Sequence, residues 1–406
     1  NARPLIEGRG RGNGIAFRLT PAEPIIAFQK FHFVDNSDWI YLHKNMRVYA
    51  NVDMDSEDGL CFRMQSDRSD TVSLQNINLE LIRFRLDKLS GILPYMPRIT
   101  GLFSAEANYI QTATSLQVSA EAGVEKLTYE RQPVGNIGLG ATWLPGDKGT
   151  HYLNAYFRSG DQEVLTADAV LTQKNGRDSL EVNTTFEHFP LSLANAFMPD
   201  QVVTFTGDID GGLYINGDME KPKMSGDLSL DSVSVYARQA GARYWFDNRP
   251  LKIENNQLIF NKFAIYTTSR NPFTIDGNVD FRNMDRPTAN LTLRAQNYTL
   301  LDAPRTRESM LYGKIFVDLN ATVRGPLDGL TMRGNMNLLG NTDVTYVLTD
   351  SPLTVEDRLG ELVTFTSFTD TTSVQATEVP TMSLGGMDML MSVHIDDAVR
   401  LRADLS

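Results

Sequence analysis

The chain has 406 residues, is 41% hydrophobic and carries a net charge of −12. So acidic a surface makes a poor nucleic-acid binder, since phosphate contacts come from clustered Lys and Arg, and the one cysteine, Cys61, excludes an intrachain disulfide or a multi-Cys zinc site. No run approaches the roughly 18 apolar residues of a spanning helix, and a start at Asn1 without Met points to part of a longer protein.

In chain order, residues 1–14 are Gly/Arg-rich and read as a flexible start. Residues 15–100 read as a first β module, with strands at Ile15–Leu19, Trp39–Tyr41, Val48–Ala50, Val72–Leu74 and Ile77–Phe84. Asp53–Gly59 and Ser66–Asp70 supply turns. Leu86, Leu89 and Leu93 then recur with a helical period, predicting a short helix over Arg85–Pro97. A second module, 101–206, carries strands around Leu116–Val118, Val164–Leu171 and Leu180–Thr185, and a second short helix over Pro190–Pro199. A third, 207–312, carries strands around Val233–Tyr236, Leu258–Phe260, Phe273–Phe281 and Leu291–Leu293, with Leu300–Tyr312 as a third helical copy. The fourth, 313–406, completes one continuous sheet. Leu359–Phe368 fits either a helix capped by Thr354 or a hairpin, and the match of Pro352–Asp357 to Pro250–Asn255 favours the hairpin.

The modules are phased. Ile315, Val317, Leu319, Ala321 and Val323 alternate with polar residues, the period of a strand with one apolar face. Gly101, Gly207 and Gly313 are spaced 106 apart, and Phe103, Ile209 and Ile315 follow them in step. Second strands correspond too: Met332, Met336 and Leu338 match Met224, Leu228 and Leu230. This is a degraded internal repeat of roughly a hundred residues.

Chemistry-bearing motifs are scarce. The five histidines, His32, His43, His151, His188 and His394, are far apart and in no ligand spacing. Asp53–Gly59 resembles the start of a calcium loop, but its glycine is one position late and Met64 stands where the bidentate Glu belongs. Asp208 and Asp210 beside Gly211 have the look of calcium-binding solenoid repeats without recurring at Gly313. No catalytic or metal-binding residue and no cofactor are assigned.

The apolar face is the informative feature. It must be buried by closing a barrel, by packing a second sheet, or by a non-protein occupant of an open trough. The repeat places Phe103, Ile209, Leu213, Ile215, Met224, Leu228, Leu230, Ile315, Val317, Leu319, Val323, Met332, Met336 and Leu338 on that face.

Gly313…Gly325-Pro326-Leu327…Gly334-Asn335-Met336-Asn337-Leu338, then Tyr346-Val347-Leu348 and Asp350–Val355, resemble the C-terminal region of the TamB family, the translocation and assembly module subunit of AsmA-like bridge proteins. Asp357–Phe365 is similar to the Bacteroidota branch, and the resemblance runs from about Ser192 to the end. It implies an all-β, elongated curved sheet, a half-tube with an apolar lumen and a few short helices. It also implies a non-enzymatic protein, anchored in the inner membrane, that spans the periplasm. Such a protein would conduct phospholipids through its groove and assist outer-membrane protein assembly with an Omp85-type barrel. Headgroups would stay in water, so lipid class need not be read. Two rival readings are a β-solenoid carbohydrate-active enzyme and a surface adhesin or stalk with a filled interior.

Overall fold

A computed structural model describes residues 5–405 apart from 21–22, 27–28, 35–38, 89–95, 175, 199–201, 239–240, 269, 306–310 and 349–387. Contacts divide the chain into two units. Residues 1–201, 206–231 and 252–255 form the first, and 202–205, 232–251 and 256–406 the second.

The chain is all-β. It opens with β1 (Leu5–Arg11), β2 (Gly14–Thr20), β3 (Ile25–Ile26), β4 (Gln29–Phe33), β5 (Trp39–His43), β6 (Val48–Ser56), β7 (Cys61–Ser66) and β8 (Gln75–Arg85). Longer strands follow: β9 (Ile99–Gln111), β10 (Leu116–Tyr129), β11 (Gln132–Pro145), β12 (Thr150–Ser159), β13 (Gln162–Lys174), β14 (Arg177–Pro190), β15 (Val203–Asp218) and β16 (Lys223–Ala237). Next come β17 (Ala242–Phe246), β18 (Leu251–Glu254), β19 (Gln257–Tyr266), β20 (Phe273–Asp280), β21 (Thr288–Ala303) and β22 (Leu311–Pro326). The last are β23 (Thr331–Leu338), β24 (Asp343–Leu348), β25 (Asp388–Ile395) and β26 (Arg400–Leu405).

In the first unit, every strand from β6 to β15 pairs antiparallel with the next in sequence. Tight turns permit this. Glu130 and Arg131 both take positive φ between β10 and β11, the twist-matching geometry of a two-residue hairpin. A small core of Phe31, Val52, Met54 and Leu60 closes over β4, β6 and the turn before β7.

In the second unit, β19 to β22 form an antiparallel meander. β22 then pairs with β23 along Val317–Arg324 and with β24 along Leu311–Lys314, so β23 and β24 act as one interrupted strand. β25 and β26 lie parallel to them, residue for residue, from Thr331↔Asp388 to Leu348↔Leu405. The interruption is matched as well: the Gly340 N–H donates to the Asp396 carboxylate, and the Arg400 N–H to the Thr342 carbonyl.

Several expectations are corrected. Leu5–Arg11, read as part of a loose start, is a strand paired with β2 from Leu5↔Thr20 to Arg11↔Gly14. Val72–Leu74 is not a strand: the Asp70 carboxylate accepts the Val72 and Ser73 N–H groups and folds the segment into a turn, leaving Val72 exposed. The acidic turn shrinks to Glu57–Gly59, because Asp53 and Asp55 belong to β6 and Asp53 pairs with Arg63 on β7. The expected helices are 3-10 turns at Leu86–Lys88 and Leu191–Phe197, and residues 89–95 of the first fall outside the described residues. The third copy is not helical where it is described: Leu300–Ala303 end β21, Pro304 and Arg305 are irregular, and Leu311–Tyr312 begin β22. The Leu359–Phe368 hairpin also lies outside the described residues. The phased glycines Gly101, Gly207 and Gly313 sit near the starts of β9, β15 and β22, all with positive φ (143°, 87° and 116°).

Candidate functional site

Residues directly opposite in a ladder share a face of the sheet, so register alone shows what each face presents. One row crosses eight strands of the first unit as Leu79, Ala107, Ala120, Ala141, Ala155, Ala167, Thr184 and Leu213. The row two residues away is Leu81, Ala105, Ala122, Leu139, Phe157, Leu165, Phe186 and Gly211. The row between them, on the opposite face, includes Glu80, Glu106, Glu121 and Tyr156. One face is therefore apolar across all these strands, with a floor of alanines, and the other is polar.

This apolar face is not closed. No hydrophobic side chain of β9–β12 is buried, and Leu139 is 56% exposed. Alanine is one cause: a methyl group cannot reach a neighbour one strand away, about 4.8 Å across the ladder, well enough to cover it.

In each unit some strands bulge, a feature with no counterpart in the sequence reading. Register shifts fall between Leu81 and Phe84, Val124 and Leu127, Phe186 and Phe189, Phe260 and Phe263, and Ala295 and Tyr298. Each holds one residue at positive φ: Arg83, Lys126, His188, Lys262 and Asn297. Each of those residues donates its backbone N–H to a side-chain oxygen of the next strand, on Ser104, Asn136, Asp210, Asp276 and Asp318, at 2.7–3.0 Å. The extra residue turns both flanking side chains to the same face. Phe186 and Phe189 thus meet edge-on at 5.9 Å, as do Phe260 and Phe263. In the first unit, Phe157 packs 6.0 Å from Phe189, and the three rings of Phe157, Phe186 and Phe189 form an aromatic rim beside the apolar floor. Three bulges recur with the repeat, Arg83, His188 and Asn297 each preceding a phased glycine.

Register also places the repeat-derived residues. Phe103 lies opposite Phe84 and Val124. Ile209, Leu213 and Ile215 lie opposite Phe189, Thr184 and Val182. A Cβ on Gly211 would strike the Asp227 carbonyl beside Leu228, and one on Gly226 would strike the Gly212 carbonyl beside Leu213. That approach sets Leu228 against Gly211, so strand alternation carries Met224, Leu228 and Leu230 to the same face. In the second unit, Val317, Leu319 and Val323 oppose Leu338, Met336 and Met332, and Ile315 opposes Leu301. Here the face is packed: Tyr298 and Val317 are 2% and 3% exposed, and Phe273, Ile315, Leu319, Met336 and Leu338 close around them. Burial pushes the Tyr298 phenol well above its ordinary range. The apolar row continues through Met389, Val393 and Ile395 of β25, opposite Met332, Met336 and Leu338, and those side chains are exposed.

Other chemistry is modest. Desolvation and the Asp55 carboxylate push the Cys61 thiol up to about 11, so it is a poor nucleophile. His188, Asp210 and Asp231 bring possible ligand atoms within 4.8 Å of one another. Asp210 already has a structural role there, accepting the His188 N–H at 2.7 Å and lying 3.4 Å from its Nδ1. On the polar face of the second unit, Arg294, Asp318, Asn320, Asn335 and Asn337 line an open depression of about 740 Å³. Among the described residues, no helix is long and apolar enough to cross a membrane.

Comparison with known proteins gives one match. Residues 261–405 match the model of the TamB C-terminal domain. No curated protein and no solved structure matches the chain. The matched segment runs from β19 to β26, covering the packed apolar face and the parallel edge strands. That family is linked to translocation and assembly in the cell envelope and is not a family of enzymes. The similarity to the TamB family is carried by residues 261–405.

Proposed function

We propose that this chain is part of a periplasmic bridge, anchored in the inner membrane, that conducts phospholipids to the outer membrane along its apolar face. The observation that carries the reading is the apolar face that runs across β9–β15 and has no buried hydrophobic side chain in β9–β12. An acyl chain in water is disfavoured by about 0.8 kcal/mol per CH₂. A floor of alanines beside an aromatic rim offers apolar contact along its length and leaves headgroups in water. The repeat-derived residues, from Phe103 to Leu338, are the proposed lining, and the repeat modules are proposed to form one elongated, curved sheet.

The same reading extends to assembly. Among the described residues no strand pairs with the outer edge of β25 or β26. Such an edge recruits strands, and we assign it to an Omp85-type barrel. Crosslinkers at Arg400 and Arg402 of the full-length protein should capture that barrel above a control at Arg270.

The deciding experiment is lipid analysis of the purified chain. Phospholipid should co-purify with it and leave on Ala141→Phe, which fills the floor. A lipid-free protein with unchanged folding would favour a structural stalk, and glycan turnover would favour an enzyme.

A further inference from the structure

The apolar face of the first unit has two unlike margins. At the bulge end the rings are Phe157, Phe186 and Phe189, which carry no polar atom, while Tyr129 there packs on Phe197 with ring centroids 4.9 Å apart. At the other end, two residues beyond the alanine row, Val118 lies opposite both Tyr109 and Trp143. Gln111 and His151 follow two residues further along on the same face.

This second margin combines ring surface with unused nitrogen. Trp143 and His151 pack together, centroids 5.4 Å apart. Neither the Trp143 indole N–H nor either ring nitrogen of His151 has a hydrogen-bond partner among the described residues. His151 Nδ1 is buried as well, which is uncommon for a polar atom left unpaired. Among the described residues of β8–β15, two other buried polar atoms lack a partner, on Asn78 and Arg158, and register puts both on the polar face. With Nδ1 buried, Nε2 is the His151 nitrogen left to meet a ligand.

The span between the margins fits an acyl chain. Phe157 and His151 lie on one face of β12, six residues or about 20 Å apart. The hydrocarbon of one leaflet is about 15 Å deep. At a membrane surface Trp and Tyr settle at the head of that layer, ring in hydrocarbon and polar atom toward the lipid's oxygens.

We propose that Trp143 and His151 hold the glycerol-ester and phosphate oxygens of a diacyl phospholipid whose chains run along the strands toward Phe157, Phe186 and Phe189. Every lipid on this face then points its head to the same margin. The inference rests on the acyl-chain reading above. Ester carbonyls and phosphate oxygens accept hydrogen bonds, and an indole N–H and an imidazole N–H donate them. Those oxygens are common to all diacyl phospholipids, so the margin orients lipids without sorting headgroups. Tyr109, whose hydroxyl already donates to Gln111 at 3.2 Å, adds ring surface beside them.

The test reads tryptophan quenching by bromine. The chain carrying Trp39→Phe and Trp245→Phe keeps Trp143 as its one tryptophan. It is incubated with phosphatidylcholine vesicles brominated either near the ester or near the chain ends, then separated from them. Bromine near the ester should quench Trp143 more strongly, and His151→Phe, which keeps a ring but loses the donor, should shrink that preference. A photocrosslinker at Leu139, about 13 Å along β11 toward the Phe rim, should attach to the distal half of the acyl chain. Equal quenching by the two lipids, a preference unchanged in His151→Phe, or displacement of the phospholipid by an equal amount of oleate overturns this inference and leaves the acyl-chain reading intact. No bound lipid and no quenching overturns both.

Discussion

The apolar faces of β9–β12 and β20–β23 obey the same alternation yet end in different states. In the first, no hydrophobic side chain is buried. In the second, Tyr298 and Val317 are sealed beneath Phe273, Leu319 and Met336. The difference lies in side-chain size. Alanine recurs at the centre of the first, whereas Phe, Tyr, Leu and Met are long enough to cover one another in the second. Alternation decides which side is apolar; volume decides whether that side closes on itself.

The comparison is sharpest for an introduced charge. Val317→Arg should strand a cation beside Tyr298 and cost several kcal/mol, read as a large fall in melting temperature. Leu319→Arg, at the margin of that cluster, should be less damaging. Leu139→Arg can extend to water and should change stability by no more than about 0.5 kcal/mol. If Val317→Arg and Leu139→Arg unfold alike, the first face is a closed core and the comparison fails.

Removing a bulge cap should have a middling effect. Asp318→Ala frees the Asn297 N–H beside buried Tyr298 and should destabilise by about 1 kcal/mol. Ser104→Ala, on the polar face of the first unit, should matter less because it removes a neutral hydroxyl acceptor at 3.0 Å and not a carboxylate at 2.7 Å. Urea titration of both variants checks the order, and the reverse order would mean that the charge of the acceptor does not set the strength of the cap.

A smaller effect is expected from acid. The Arg282 guanidinium and its backbone N–H hold the Asp280 carboxyl down to about 2. The folded pKa is depressed, so this contribution is fully present above the unfolded value near 3.9 and fades as pH falls through about 2. Asp280→Asn should flatten that part of the melting-temperature profile between pH 4 and 2. An unchanged profile would show the pair to be inert. The smallest shift is expected from His188→Gly, a gain of a few tenths of a kcal/mol from relieving a left-handed φ, set against the lost contact between its Nδ1 and Asp210.

Much of this was legible in the sequence, for physical reasons. Alternation in Ile315–Val323 survives because β22 is paired on both sides, and the phased glycines mark backbone that other residues tolerate poorly. The bulges were not legible. At Phe260-Asn261-Lys262-Phe263 two apolar residues stand three apart, which ends a period-2 pattern, so the strand read as stopping at Phe260 whereas β19 continues to Tyr266. A run of such breaks at fixed phase was the signal available. Asp210 was weighed as a calcium ligand because its partner, the N–H of His188, is invisible without register. The parallel placement of β25 on β23 joins residues 57 apart and carries no local signal at all.

The central claim is that the face of β9–β12 is open and holds acyl chains. The most direct measurement places a photocrosslinking residue at Leu139, and a second at Thr142 on the opposite face, in the full-length protein in cells. Phospholipid adducts at Leu139 and none at Thr142 are the predicted result. Equal adducts at both positions, or none at Leu139 in a folded protein, would contradict it.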